Sequence, residues 1–368
     1  MIKVLFLIHD LGQGGAEKVL VNLVNNMDKT KFDVTVISLF GGGVNEQFLC
    51  KEVKYHTVFK KAFPANSKIM KLFSPSFLHK FCIKERYDIE VSYLEGPSAR
   101  IVSGCPNKDT KLVSWIHCTM KSAEDVAYSF RNIKEANLCY DRFHYSAFVS
   151  NGVREAFLKH CEYSGDTGVL YNTIESDIIR KKSCDKAEGL DDKTTKLISV
   201  GSLKQVKGYD RLLRIVKRLK SDGEKFHLYI LGIGDQESEL ENYIDKNNLS
   251  DVVTLLGYDT NPYKYIAQCD LYVCSSYSEG FSTAATEALI VGTPVVTVDV
   301  SGMKEMLGEN NEYGIVTDNN EDALYEGIKK MLTTPGMLED YAARAKERGK
   351  YFSTENTTKA VEEMLISL

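Results

Sequence analysis

The chain has 368 residues, 43% of them hydrophobic and 26% charged, which suits a globular protein of two ordinary domains and excludes a disordered or fibrous one. Nine cysteines with no C-x-x-C pair argue against a disulfide framework or a zinc site and read as thiols in a reducing cytoplasm. Net charge is −5 but uneven: residues up to Arg180 carry +3 and the rest −8, so the first half is the one suited to an anionic partner.

Ile2 to Ile8 is a short apolar run followed by a glycine-rich loop, so it reads as a first strand and not as a signal peptide. No later run approaches the length of a membrane span. In the loop, Gly14-Gly15 lets backbone amides approach a ligand with no Cβ in the way. A plain strand-to-helix turn fits the same residues, because this element is neither the full dinucleotide fingerprint nor a Walker A loop. Val19, Leu20, Leu23, Val24 and Met27 then mark one face of a helix, and Asp33 to Leu39 reads as a second strand.

From Lys51 to Arg86 the composition changes. Eight lysines and one arginine face only Glu52 and Glu85, a net +7 in 36 residues, with Phe59, Phe63, Ile69, Leu72, Phe73, Phe77 and Phe81 interleaved. Two readings stay open: a basic amphipathic segment lying on an anionic membrane, or a solvated helix packing its apolar face on the domain.

Strands follow at Asp88 to Leu94 and Lys111 to Ile116, the first leading to Glu95-Gly96 and the second to His117. The carboxyl ends of strands in an open α/β sheet are where ligands bind, so His117 and, more weakly, Glu95-Gly96 are site candidates. Cys118 is adjacent to His117, but neighbours on an extended chain point apart, which argues against joint chemistry. A strand over His144 to Ser150 and a helix from about Val153 to His160 come next. Lys181 to Thr195 is charged and poor in apolar residues and reads as linker.

A second α/β series begins at Lys196 to Val200, followed by the loop Gly201-Ser202-Leu203-Lys204-Gln205-Val206-Lys207-Gly208 and a helical stripe at Leu212, Leu213, Val216 and Leu219. Further strands are read at Phe226 to Leu231, Val252 to Leu256 and Leu271 to Cys274. Tyr258 stands on the turn after the second of these, and Asn261-Pro262 reads as a helix cap. Late helices are expected from about Asp322 to Leu332 and from Glu355 to Leu368.

The run from Ser275 to Val296 is the most informative. Small polar residues end a strand, Ser282 or Thr283 is placed to cap a helix, and Gly292 and Pro294 end it before another β-branched run. A helix N-terminus carries unpaired N–H groups and partial positive charge and suits a phosphate, whereas Glu279 and Glu287 suit neutral hydroxyls.

Glu279 and Glu287, with Gly280-Phe281 after the first and Gly292-Thr293-Pro294-Val295-Val296 after the second, resemble the E-x7-E motif of family 4 retaining glycosyltransferases. Matches extend along nearly the whole chain. The resemblance implies the GT-B architecture: two doubly wound Rossmann-like domains facing across a cleft, with a C-terminal helix returning to the first. The domains would be 1–175 and 196–350, with a linker at 176–195 and the returning helix at 351–368.

It also implies roles. Gly14 and Gly15 would lie against the donor diphosphate and sugar, His117 beside the sugar, Lys207 on the diphosphate and Tyr258 near the base. Glu287 would accept from the ribose, Glu279 from the sugar, and the amides near Gly280, Phe281, Ser282 and Thr283 would hold the leaving diphosphate. Catalysis would rest on His117, Glu279 and Lys207. One position departs from the family: the loop after the first strand of the second domain has Ser202 where an arginine clamps the diphosphate, and one hydroxyl replaces a fork of donors.

The implied activity is a metal-independent hexosyl transfer with retention, from a nucleotide sugar, most simply a UDP-sugar, to an acceptor. No further cofactor is implied. The basic segment suggests a lipid-linked acceptor at the inner face of the cell membrane, in capsular or exopolysaccharide assembly. Rival readings are a non-catalytic partner subunit, for which Ser202 speaks, and a nucleotide-sugar epimerase of the same fold. A nicotinamide dehydrogenase would need the full glycine fingerprint and an acid about twenty residues on, and neither is present.

Overall fold

The computed structural model describes residues 1–190 and 193–368, which form two units, one of residues 1–174 and 354–368, the other of residues 175–353. The first unit is built on β1 (Ile2–Ile8), β2 (Phe32–Phe40), β3 (Lys54–Phe59), β4 (Ile89–Tyr93), β5 (Lys111–Ile116), β6 (Tyr145–Phe148) and β7 (Asp166–Val169). Their order in the sheet is β3-β2-β1-β4-β5-β6-β7, all neighbours parallel. Parallel strands covered on both faces must be apolar along their length, and Val4 to Ile8 are fully buried.

The stretch 51–86, open between a membrane-surface segment and a solvated helix packed on the domain, supplies the edge strand β3 and two helices, Asn66–Met70 and Pro75–Cys82. Ser74 caps the second, its hydroxyl accepting from Phe77 N–H at 3.2 Å, with Pro75 at the first helical position. Leu78, His79 and Cys82 face inward. The buried His79 Nε2 meets the Glu90 carboxylate at 2.8 Å, and the Cys105 thiol lies 3.6 Å from the other Glu90 oxygen. The C-terminal helix, Thr354–Ser367, belongs to this unit: Glu362 accepts from Asp28 N–H at 2.6 Å, and Val361 and Leu365 are buried.

The second unit carries β8 (Thr195–Val200), β9 (Phe226–Leu231), β10 (Val253–Gly257), β11 (Leu271–Cys274), β12 (Val295–Val298) and β13 (Ile315–Thr317) in the order β10-β9-β8-β11-β12-β13, again all parallel. The segment read as linker, 176–195, holds a helix, Ser176–Ser183, that buries Ile179 and packs on the helices Pro262–Gln268 and Thr283–Val291; residues 191–192 of that reading lie outside the described residues. Asn261 precedes the Pro262 helix, but its side chain does not cap it. Its amide donates instead to the Lys182 carbonyl at 3.0 Å and to Asp185 at 2.9 Å, tying the former linker to the unit. No helix among the described residues is long and apolar enough to cross a membrane.

Candidate functional site

Strand order reverses between β8 and β11 in the second unit and between β1 and β4 in the first, and loops diverging at such a point leave a crevice for ligand. The loop after β8 runs to the helix Tyr209–Ser221 through Gly208, which has φ 66°. A Cβ there would stand 2.0 Å from the Ser275 carbonyl oxygen, so glycine is required both for the backbone angle and for the approach of the β11 loop.

Arg211, in the first turn of that helix and 3% exposed, fixes the β11 loop in turn. Its guanidinium donates to the carbonyls of Ser275 and Ser276 at 2.6 Å each and to Asn319 Oδ1 at 2.8 Å, and lies 4.4 Å from the Tyr277 ring centroid. The Ser275 hydroxyl donates to the Lys207 carbonyl at 3.1 Å. The two loops are therefore one bonded assembly.

That assembly sets Lys207 against Glu279. Lys207 Nζ donates to Glu279 Oε1 at 2.7 Å, and the Ser276 hydroxyl donates to the same oxygen at 2.6 Å. The pair is part-buried, with side-chain exposures of 28% and 11%, and it borders a cavity of about 10 Å³, room for one water at most.

Beyond Glu279 the chain enters the helix Thr283–Val291 with Ser282 as its N-cap, the hydroxyl accepting from Ala285 N–H at 3.3 Å. Phe281 is buried, its ring 5.8 Å from that of Phe352, so only its backbone is available to a ligand. Glu287 is 8% exposed, one position past the first turn. Gly292 ends the helix at φ 87°. Ser202 and Lys204 are exposed on the β8 loop, and Tyr258 is 70% exposed after the outermost strand, β10.

In the first unit, Gly14 caps the helix Gly15–Asn26, and the Glu17 carboxylate folds back over it: a Cβ on Gly14 would lie 1.9 Å from Glu17 Oε2. Burial pushes the Glu17 carboxyl above its ordinary pKa, and Asp10 adds to the effect. Asp10 itself accepts from Gly12 N–H at 2.7 Å and contacts His9 Nδ1 at 2.6 Å. Carboxylates thus lie in and beside the position where a phosphate would meet the Gly14-Gly15 amides.

His117 follows β5 and donates its backbone N–H to Glu95 Oε2 at 2.9 Å. Its ring packs 4.6 Å from that of Tyr93, and its buried Nε2 has no hydrogen-bond partner. Burial lowers its pKa to about 4, against the opposing pull of Glu95, so the imidazole is neutral at ordinary pH.

Lys207, Glu279, Ser282 and Glu287 are thus brought to one end of the second sheet, while Gly14, Gly15 and His117 stand at strand ends of the first. Sequence reasoning missed Arg211 and Ser276. Arg211 could have been found, since it stands four residues before Ile215 and eight before Leu219, on the apolar stripe, where an arginine is buried only when bonded.

Two family models cover most of the chain: "Glycosyltransferase Family 4" matches residues 13–178 and "Glycosyl transferases group 1" residues 181–348. The chain is 30% identical over 364 residues, 96% of each sequence, to the N-acetylgalactosamine-N,N'-diacetylbacillosaminyl-diphospho-undecaprenol 4-alpha-N-acetylgalactosaminyltransferase of Campylobacter jejuni. It is 24% identical to an uncharacterized glycosyltransferase of Haemophilus influenzae, over 91% of this chain and 92% of that one. Among solved structures, Anabaena HepE in complex with UDP and glucose superposes with TM-score 0.79 at 18% identity, over the whole of both chains. The lipopolysaccharide outer core galactosyltransferase WaaB gives 0.76 at 18%, over 100% of this chain and 99% of that one.

Proposed function

The chain belongs to the family 4 glycosyltransferases of GT-B fold, and on that premise we propose that it transfers a sugar, with retention and without a metal, from a UDP-sugar to a lipid-linked glycan in bacterial cell-surface polysaccharide assembly. The observation that carries this is the Lys207–Glu279 pair, held by the Arg211 assembly just ahead of the helix that begins at Thr283. A cation, a carboxylate and a helix N-terminus at one strand-order reversal are the parts a nucleotide sugar needs.

In this reading Lys207 and the amides at Gly280, Phe281, Ser282 and Thr283 hold the diphosphate. Glu287 accepts from the ribose and Glu279 from the sugar. Ser202 supplies one hydroxyl to the phosphates, and Tyr258 lies near the base. Gly14, Gly15 and neutral His117 serve the sugar from the first unit. The anomeric C–O bond breaks with its electron pair going to the leaving phosphate oxygen. The acceptor oxygen attacks from the same face and gives its proton to that phosphate, so no protein nucleophile is required.

UDP as the nucleotide is supported by the HepE complex, and a lipid-linked acceptor by the diphospho-undecaprenol in the name of the Campylobacter relative. The enzyme would then work on the cytoplasmic face of the membrane, touching it through residues 51–86. Ser202 favours a second reading, a non-catalytic copy that lacks the guanidinium clamp.

The deciding experiment is turnover of a panel of UDP- and GDP-sugars with EDTA present, with and without an extract of lipid-linked acceptors, in wild type and Glu279→Ala. Acceptor-dependent UDP release that survives EDTA and vanishes in the variant is expected. No binding or turnover of any sugar nucleotide would establish the non-catalytic reading instead.

A further inference from the structure

Residues 63–86 display apolar side chains outward. Leu72 is 76% exposed, Phe77 52%, Phe81 45%, and Phe73 and Ile69 41% each. The rings are not scattered: Phe73 stacks on Phe77 at 5.0 Å, Phe77 on Phe81 at 6.4 Å, and Phe81 on Phe59 of β3 at 5.9 Å. A contiguous exposed apolar ridge of this kind marks an interaction surface.

The backbone under the ridge is clamped. Buried Arg100 donates to the carbonyls of Met70 and Phe73 at 2.8 and 2.7 Å while paired with Glu135, and Arg131 donates to those of Lys71 and Leu72. Gly104 lies so close beneath Pro75 that a Cβ would come within 2.1 Å of its carbonyl oxygen. The exposure is therefore fixed by the fold.

Beside the ridge, a groove of about 410 Å³ opens between β3 and the helix Pro75–Cys82. Ile37, Val58, Phe81, Cys82 and Tyr87 line it together with Glu85 and with Lys84, whose Nζ stands 5.3 Å over the Phe81 ring. Lys60, Lys61, Lys68 and Lys80 are exposed in the same segment, within the stretch of net charge +7. The ridge gives apolar insertion, the lysines give charge complementarity to an anionic surface, and the groove is of a size to enclose part of a chain.

We propose that this face docks the first unit on an anionic phospholipid membrane, with the phenylalanine ridge in the headgroup–acyl boundary and one hydrocarbon chain of a bound lipid in the groove. It sharpens the membrane contact offered above, but none of its observations uses the transferase chemistry.

The test is co-sedimentation of the full-length protein with vesicles of phosphatidylcholine alone and of equimolar phosphatidylcholine and phosphatidylglycerol, the latter also with a diazirine-bearing acyl chain for cross-linking. Binding that needs phosphatidylglycerol is expected, falling about tenfold or more in Leu72→Ser/Phe77→Ser with circular dichroism unchanged. Cross-links are expected in peptides 54–59 and 77–87, and lost in Val58→Trp, which fills the groove from β3. Absent binding, equal binding to both vesicle types, or cross-links confined to other peptides would overturn the proposal. UDP binding measured in parallel keeps the two readings apart: vesicle binding without UDP binding defeats the transferase reading and leaves this one standing.

Discussion

Arg211→Met is the sharpest perturbation of the site that touches none of the groups assigned to donor or sugar. Methionine keeps an apolar stem of similar reach, so the change removes chiefly the guanidinium and its bonds to Ser275 O, Ser276 O and Asn319 Oδ1. Hydrogen bonds from a charged donor contribute about 1.5–3 kcal/mol each, but the variant no longer desolvates a charge, so the three do not simply add. The variant leaves the Ser275 and Ser276 carbonyls without that donor, at about 1–3 kcal/mol for each buried group left unsatisfied, so about 3–4 kcal/mol is the expected loss for the turn 275–279. Hydrogen exchange read by mass spectrometry localises it: peptides spanning 271–292 should exchange faster by roughly two to three orders of magnitude. Trp115, the single tryptophan, is buried in β5 of the first unit, so its fluorescence transition in urea should stay in place and serve as the internal control. Turnover should fall with Arg211→Met because Glu279 loses its fixed backbone. Exchange within about tenfold of wild type across 271–292 would refute the reasoning and leave Gly208 and the Ser275–Lys207 contact as the true supports.

Three further outcomes follow from other groups. Ser202→Arg restores a guanidinium at the departing position and should tighten UDP binding about tenfold or more by calorimetry; an unchanged or weaker Kd would remove Ser202 as the limiting feature. Burial drags the His79 imidazolium down, but contacts with Cys105 and Glu90 outweigh it and hold its pKa at about 9, above the ordinary 6.5. The stability it adds is full below about pH 6.5 and is lost as pH rises through about 9, so the Trp115-monitored urea midpoint should fall over that window in wild type, and less so in His79→Gln. His117, at about 4, is already neutral above pH 5; wild-type and His117→Gln turnover profiles should therefore share one shape, and a limb near pH 6.5 abolished by the substitution would contradict a neutral imidazole.

What could be read from the sequence follows from where burial is complete. Ile2–Ile8, Lys111–Ile116, Phe226–Leu231 and Leu271–Cys274 are interior parallel strands whose apolar runs end where the strands end. The outer strands β3 and β7 are covered incompletely, so Lys54–Phe59 and Asp166–Val169 carry no such run and were not legible. Ser176–Ser183 was hidden by its charges, because Ile179 is its one buried apolar residue and the Asn261 bond to its Lys182 carbonyl has no sequence signal. Glu279, Lys207 and the Ser282 cap were legible from local motifs. Their ion pair was not, since it joins residues 72 positions apart through a turn that Arg211 holds.

That ion pair changes how the acidic residues of the site are to be understood. On the proposed reading, a diphosphate approaching the helix that begins at Thr283 would meet a lysine whose charge is already shared with Glu279, so binding would draw Lys207 toward phosphate and leave Glu279, still bonded to the Ser276 hydroxyl, open to a further donor. A sugar hydroxyl would be such a donor, and on that reading the exchange of partners couples recognition of phosphate to recognition of sugar. The two residues would then act as a unit, and single substitutions would not report separable contributions. Glu279→Ala frees Lys207 for phosphate while deleting the sugar contact, so UDP should bind at least as tightly as in wild type while transfer is lost. Lys207→Ala should weaken UDP binding and transfer together. A chain that merely binds nucleotide has no reason to show that opposition, and loss of UDP affinity in Glu279→Ala would mean that the carboxylate positions the lysine and takes no part in the exchange.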